Sequence, residues 1–192
     1  MTTSRKRCAW ADGGDLLMRE YHDKEWGTPL YDDKKIFEFL SLEAFQAGLS
    51  WRTILHKRKN FEKAFAKFDP AKVAKFGKKD FARLMRDKGI VRNRLKIEAT
   101  INNASKFLEV KKEFGTFSKY MWGYVGGKPI SHSIKSMKDY KPVHKISIVW
   151  AKDLKKRGFK FLGPTTLYAH MQATGMVNDH MVGCIINEKS YS

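Results

Sequence analysis

Apolar positions recur every three or four residues along most of the chain. The pattern is clearest where Ile36, Phe37, Leu40 and Ala44 follow Asp32 and Asp33. That spacing predicts a helix with a buried stripe, N-capped by Asp32 or Asp33 at the positive end of its dipole. Gly48 is placed to end it in a left-handed turn. Upstream, Leu16 to Trp26 holds Tyr21, His22 and Trp26 close together, and Gly27-Thr28-Pro29 breaks the chain before the central helix. Downstream, a second helix runs from Trp51 through Ile54 and Leu55 towards Phe65, with Lys and Arg on its outer face. Asp69-Pro70 caps a short helix over Ala71 to Lys75, and Lys79-Asp80-Phe81 opens another that reaches Lys88. After a basic turn from Gly89 to Arg94, Ile97, Ile101, Ala104 and Leu108 mark a helix from Leu95 to about Phe114, stopped by Gly115. Further helices are expected over Phe117 to Val125, Ile146 to Arg157 and Thr165 to about Gly175. From Gly126 to His144 the sequence is polar and irregular, which predicts a long surface loop. Strand-like alternation is scarce and no repeat is visible, so the fold class is all-α.

One residue disturbs the pattern of the central helix. Glu43 falls three residues after Leu40 and seven after Ile36, on or beside the buried stripe. A carboxylate there loses hydration and requires either a partner or a ligand. With a helix stop at Gly48 and the aromatic Trp51 close behind, the stretch resembles a pocket for a flat polar ligand. The competing reading pairs Glu43 with a basic residue and leaves Trp51 in the core.

Composition narrows the class of partner. The 192 residues carry 38 Lys and Arg against 20 Asp and Glu, a formal net charge of +18, which predicts attraction to polyanions, nucleic acid first among them. A chain this long buries roughly 70% of its unfolded surface, enough for one domain or two intimate lobes without a disulfide scaffold. No run approaches the roughly 20 apolar residues of a membrane span. The basic start has no apolar segment behind it, so a secretory signal is not expected. Two cysteines, Cys8 and Cys184, are too few for a disulfide framework, which points to the cytoplasm.

Each cysteine is accompanied by a histidine: Cys8 by His22, and Cys184 by His180 four residues earlier. On a helical turn His180 and Cys184 would point the same way. If the chain ends meet, two thiolates and two imidazoles make a closed tetrahedral Zn²⁺ site, although the spacing is not that of a zinc finger and buried inert cysteines are the alternative. In Arg157-Gly158-Phe159-Lys160-Phe161-Leu162-Gly163-Pro164-Thr165, glycines precede a helix start and free backbone N–H groups for a phosphate, with Lys155, Lys156, Arg157 and Lys160 around them. An ordinary helical corner is the competing reading.

Taken in order, four stretches resemble the 3-methyladenine DNA glycosylase I family of the helix-hairpin-helix superfamily. They are Tyr21-His22-Asp23-x-Glu25-Trp26-Gly27, Leu42-Glu43-x-x-Gln46-Ala47-Gly48-Leu49-Ser50-Trp51, Lys155 to Gly163, and Val177-Asn178-Asp179-His180-x-x-x-Cys184. The resemblance runs from Cys8 to Cys184 and is poorest near 130–147. It implies a helix-hairpin-helix glycosylase over 1–192, with two helical lobes and double-stranded alkylated DNA across the cleft. It implies a structural zinc held by Cys8, His22, His180 and Cys184. Glu43 and Tyr21 would hydrogen-bond the methylated base while Trp51 and Trp10 shape and stack the slot. Gly48 and Leu49 would fill the gap left by the flipped nucleotide, and Gly158, Lys160, Gly163 and Thr165 would hold backbone phosphate. Glu43 is also the catalytic candidate. Free 3-methyladenine would be the product, no lyase step is expected, and the family is usually monomeric. Met18 departs from the aromatic expected in some relatives. A non-catalytic, zinc-stapled DNA-binding protein is the competing class.

Overall fold

The computed structural model describes residues 6–186, so the first five residues of the basic start (1–5) and the last six residues of the polar tail (187–192) lie outside the described residues. Its helices are α1 (Leu16–Lys24), α2 (Asp33–Gln46), α3 (Trp51–Ala64), α4 (Pro70–Val73), α5 (Lys78–Arg86), α6 (Arg94–Phe114), α7 (Phe117–Gly123), α8 (Lys145–Lys156) and α9 (Pro164–Ala173). Two short strands, β1 (Ile130–Ser131) and β2 (Val177–Asn178), pair in parallel, Ile130 opposite Val177. The all-α expectation holds for the bulk of the chain.

The predicted central helix is α2. The Asp32 side chain caps it by accepting the Lys35 N–H at 2.8 Å, and Gly48 takes φ +81° just beyond its end. The sequence predicts one buried stripe; in the fold every residue from Ile36 to Phe45 is buried. The reason is tertiary: α3, α6, α7 and α9 all pack on α2, so no face is left for water. Glu38 tolerates this because Arg58 reaches it at 2.6 Å and Lys35 at 2.8 Å. At the other end, Lys96 of α6 is buried and donates to the Phe45 and Ala47 carbonyls at 2.8 and 2.5 Å. A cation at that position satisfies open carbonyls and suits the negative end of the dipole.

The main core gathers Phe37, Phe45, Phe61, Phe107 and Trp150 among its largest members. A smaller one, with Cys8, Tyr21, Trp26, Phe39 and Cys184, brings the two ends of the described chain together. The stretch from Gly126 to His144 is not a free surface loop. β1 pairs with β2, Ile134 bridges to Met181, and the Tyr140 hydroxyl donates to the Asp179 carbonyl at 3.1 Å. Those contacts are long-range in sequence, which is why local pattern does not announce them.

Candidate active site

A cavity of about 300 Å³ opens where α1, the end of α2 and the start of α3 meet α9. Glu43, Tyr21, Trp51 and Trp10, the predicted base-binding set, all line it. Tyr21 and Trp51 lie 5.2 Å apart between ring centroids, Trp10 and Tyr21 6.4 Å, and Trp10 and Trp26 4.9 Å. Phe39 stacks behind Trp51 at 6.4 Å and 17°, and the Arg58 guanidinium covers Phe39 at 5.1 Å. The result is an aromatic slot whose walls are braced from behind.

Glu43 is 4% exposed and hydrogen-bonds to no described residue. Burial pushes its carboxyl up to about 8. The contrast with Glu38 on the same helix is informative: both are buried, yet only Glu38 has a cation. Tyr21 is held well above the ordinary phenol range by burial and then by the Glu43 charge, so it remains a hydrogen-bond donor. A carboxylate without a protein partner, facing an aromatic slot, suits a planar ligand that brings its own positive charge or N–H donors.

Sequence reasoning missed several of the walls. Met137 and Tyr140 arrive on the 126–144 segment, and Ala169 and Gln172 on α9, with no local signal for any of them. Met18 does line the cavity, at the position where an aromatic is expected.

Gly48 and Leu49 form the turn between α2 and α3, in sequence between the cavity-lining Gln46 and Trp51. Leu49 is 40% exposed; its N–H donates to the Gln46 carbonyl at 2.7 Å and its carbonyl accepts from Gln46 Nε2 at 3.1 Å. The Lys96 bonds to Phe45 and Ala47 hold the same turn from inside.

Cys8, His22, His180 and Cys184 converge with all four ligand atoms within 4.8 Å of one another, every residue buried. Cys184 Sγ lies 3.5 Å from His22 Nε2 and 3.6 Å from His180 Nδ1, and Cys8 Sγ lies 3.6 Å from His180 Nδ1. A tetrahedral site with S and N ligands has edges of about 3.5 Å, so this set fits a metal ion. The other ring nitrogens are oriented as metal ligands require: His22 Nδ1 by Asp23 at 2.8 Å, His180 Nε2 by the Trp26 carbonyl at 3.0 Å. The helical reading of His180 and Cys184 is corrected. Met181 is in a bridge, Gly183 takes φ +78°, and the two side chains meet across a turn instead. Gly27 allows the approach, since a Cβ there would lie 2.7 Å from His180 Nε2.

Gly158, Lys160 and Gly163 lie in the hairpin between α8 and α9, and Thr165 follows in the first turn of α9. Gly158 takes φ +87°, and Phe159 and Leu162 anchor the hairpin in the core. Two residues that sequence reasoning passed over fix its backbone. Asn102 donates to the Gly158 carbonyl at 2.9 Å, and Asn103 both donates to and accepts from the Lys160 backbone at 2.8 Å. The Lys160 N–H is therefore not free for a phosphate, and the open backbone donors are those of Phe161, Leu162 and Gly163 and, beyond Pro164, of Thr165 and Thr166 in the first turn of α9. Arg157 is also committed, to Asp153 at 2.9 Å and Glu113 at 2.6 Å, which leaves Lys155, Lys156 and Lys160 as the exposed cations of this stretch without an ion pair.

The family model of the methyladenine glycosylases matches residues 10–187, and the chain belongs to that family. Among its relatives, DNA-3-methyladenine glycosylase 1 of Escherichia coli (strain K12) is 45% identical over 179 residues, covering 93% of this chain and 95% of that protein. The DNA-3-methyladenine glycosylase of Haemophilus influenzae is 43% identical over 184 residues, covering 96% and 97%. The fold superimposes with a TM-score of 0.90 on 3-methyladenine DNA glycosylase I from Staphylococcus aureus, solved to show the structural basis of 3-methyladenine recognition. That structure is 42% identical and covers 93% of this chain and 95% of its own.

Proposed function

We propose that this protein is a DNA repair glycosylase that hydrolyses the N-glycosidic bond of 3-methyladenine in alkylated DNA. It releases the free base and leaves an abasic site. The observation that carries the reading is the buried, unpartnered Glu43 carboxylate in an aromatic slot; family membership and the activity named for the relatives support it. The proposed fold is that of a helix-hairpin-helix glycosylase: one domain over 1–192, two helical lobes and a Zn²⁺ joining the chain ends. We take it to act on duplex DNA, as a monomer, in the cytoplasm.

The chemistry divides between lesion and protein. Methylation at N3 leaves the nucleoside base cationic, so the base departs with the bonding electron pair as a neutral molecule and water takes its place at the sugar carbon. Rotating the base out of the stack costs a few kcal/mol, less for a damaged pair. Leu49 and Gly48 enter the vacated gap, while the α8–α9 hairpin and Lys160 hold backbone phosphate. In the slot Trp51 and Trp10 stack on the base, the Tyr21 hydroxyl donates to it, and Glu43 accepts from its N–H groups. The Glu43 charge favours a cation over any normal base. No lysine is placed as a Schiff-base nucleophile, so no strand cleavage is expected. In the proposed zinc site all four positions are filled by Cys8, His22, His180 and Cys184. Its contribution is then structural.

Incubation with N-methylated duplex, followed by chromatography of the released bases, tests the assignment. Free 3-methyladenine is expected. Tight binding to DNA with no base release would instead establish the non-catalytic, zinc-stapled DNA-binding protein.

A further inference from the structure

Behind the slot lies a second buried carboxylate with a different environment. The Asp179 side chain is fully buried and is met by three donors: His132 Nδ1 at 2.6 Å, the Tyr168 hydroxyl at 2.6 Å and Gln172 Nε2 at 2.7 Å. Gln172 is the member of this group that also lines the cavity. Its contact with Asp179 settles which way round the amide sits. A carboxylate oxygen already accepting from Tyr168 repels a carbonyl oxygen at 2.7 Å, so the nitrogen must face Asp179 and Oε1 is the free end. Oε1 hydrogen-bonds to no described residue.

The same logic applies across the cavity. Gln46 Nε2 donates to the Leu49 carbonyl at 3.1 Å, another acceptor, which leaves the Gln46 oxygen uncommitted as well. With Glu43 in the ionised form that a cationic base favours, the polar lining contributed by these three side chains is made of acceptors. A free glutamine offers either end of its amide to a ligand. A glutamine whose nitrogen is tied to a carboxylate offers only oxygen.

We infer that Asp179 is a positioning residue for base discrimination: by holding the Gln172 amide it fixes a carbonyl oxygen in the slot, which accepts from an exocyclic amino group and rejects a carbonyl. This inference rests on the reading of the cavity as the methylated-base site and extends it to substrate class. An adenine-type base carries an amino donor at C6, whereas a guanine-type base carries a carbonyl there. A fixed acceptor facing that position favours the first and leaves two oxygens opposed with the second. Failure to satisfy polar groups in a site of this kind is what produces large discrimination. Asp179 does not touch the base; it acts through Gln172.

The test compares release of 3-methyladenine and 3-methylguanine from the same methylated duplex by wild-type protein, Asp179→Asn and Gln172→Met. In Asp179→Asn the new amide can meet either end of Gln172, so the glutamine is free to flip. The ratio of 3-methyladenine to 3-methylguanine release should fall about tenfold or more, chiefly through faster 3-methylguanine release. Gln172→Met leaves Asp179 its other two donors and guards against an Asp179→Asn protein that does not fold. It should lower 3-methyladenine release with little loss for 3-methylguanine, and the double variant should lower the ratio no further than the single ones. A purely structural role would slow both bases alike. Folded variants with an unchanged ratio overturn the inference while leaving the glycosylase assignment intact. A wild-type protein that releases neither base overturns the assignment and the inference together.

Discussion

Replacing Glu43 by Gln should stabilise the protein in alkaline solution while weakening its reaction. The substitution keeps the shape and one acceptor and removes only the ability to ionise. Burial raises the Glu43 carboxyl from its ordinary value of 4.5 to about 8. Converted at 1.36 kcal/mol per pH unit, that rise is worth roughly 5 kcal/mol, a ceiling because side chains and water relax around a newly formed charge. Because the folded value is raised, the folded state binds more protons than the unfolded state between pH 4.5 and about 8. The stability contributed by the neutral acid is complete below 4.5 and is lost as pH rises through about 8. Wild type and variant should therefore differ by less than about 1 kcal/mol at pH 5, and at pH 9 the variant should be more stable by ~2–5 kcal/mol. Urea unfolding at the two values measures this, and subtracting the two proteins cancels every other titrating group. The reaction should move oppositely. A fixed cation in methylated DNA favours the ionised acid, so kcat/KM of wild type should rise with pH towards about 8, whereas the variant shows no such limb. A stability difference equal at pH 5 and pH 9 would refute the reasoning, since it would mean that Glu43 does not change its charge in the fold.

Three further outcomes are expected. Protein purified without chelators should hold about one zinc per chain by elemental analysis, and Cys184→Ala should lose it and melt well below wild type; folded, active protein without metal would contradict the structural site. Lys160→Ala should weaken binding to every duplex about equally and make the logarithmic salt slope shallower by about one, as expected of a phosphate contact; unchanged slopes would move the anchor elsewhere. Trp51→Ala should cost roughly 1–3 kcal/mol in affinity for free 3-methyladenine by fluorescence titration, with affinity for undamaged duplex kept.

How far the sequence is legible depends on how local each determinant is. The ends of α2 can be read because the Asp32 cap, the apolar spacing and Gly48 agree within sixteen-odd positions of one another, roughly one helix length. The role of Glu43 cannot be separated from that of Glu38 by pattern, since both sit on the same buried helix. Arg58, twenty residues beyond Glu38, decides between them. The hairpin before α9 is visible through its glycines, but its rigidity comes from Asn102 and Asn103 on α6, more than fifty residues away. The 126–144 segment is the least legible, because its order comes from pairing with Val177–Asn178 and from bonds to Asp179. His180 and Cys184 show the opposite case: the helical geometry expected of them is wrong, yet their convergence is right, because the chain ends impose it.

The overall charge and the proposed ligand have the same sign, since a protein of net charge +18 is asked to select a cation. Distance removes the conflict. At physiological salt, charges on exposed side chains are screened beyond about 8 Å, so the lysines of the proposed DNA-binding surface would act on phosphate there and only weakly inside the slot. The cavity is lined by aromatic, apolar and amide side chains together with Glu43, and by no Lys or Arg among the described residues. There a single carboxylate in a medium of low polarity outweighs distant, hydrated cations, because an interaction across about 4 Å at an effective dielectric near 20 is worth roughly 4 kcal/mol before desolvation is charged against it. The cavity walls must therefore stay closed to water for the selection to survive. Those walls share their packing with the Cys/His cluster: Trp10 lies 5.2 Å from His22 and Trp26 4.6 Å from His180, ring to ring. Joining the chain ends thus also holds two sides of the slot, and loosening that junction should let water reach Glu43 and reduce its preference for a cation before the fold itself is lost.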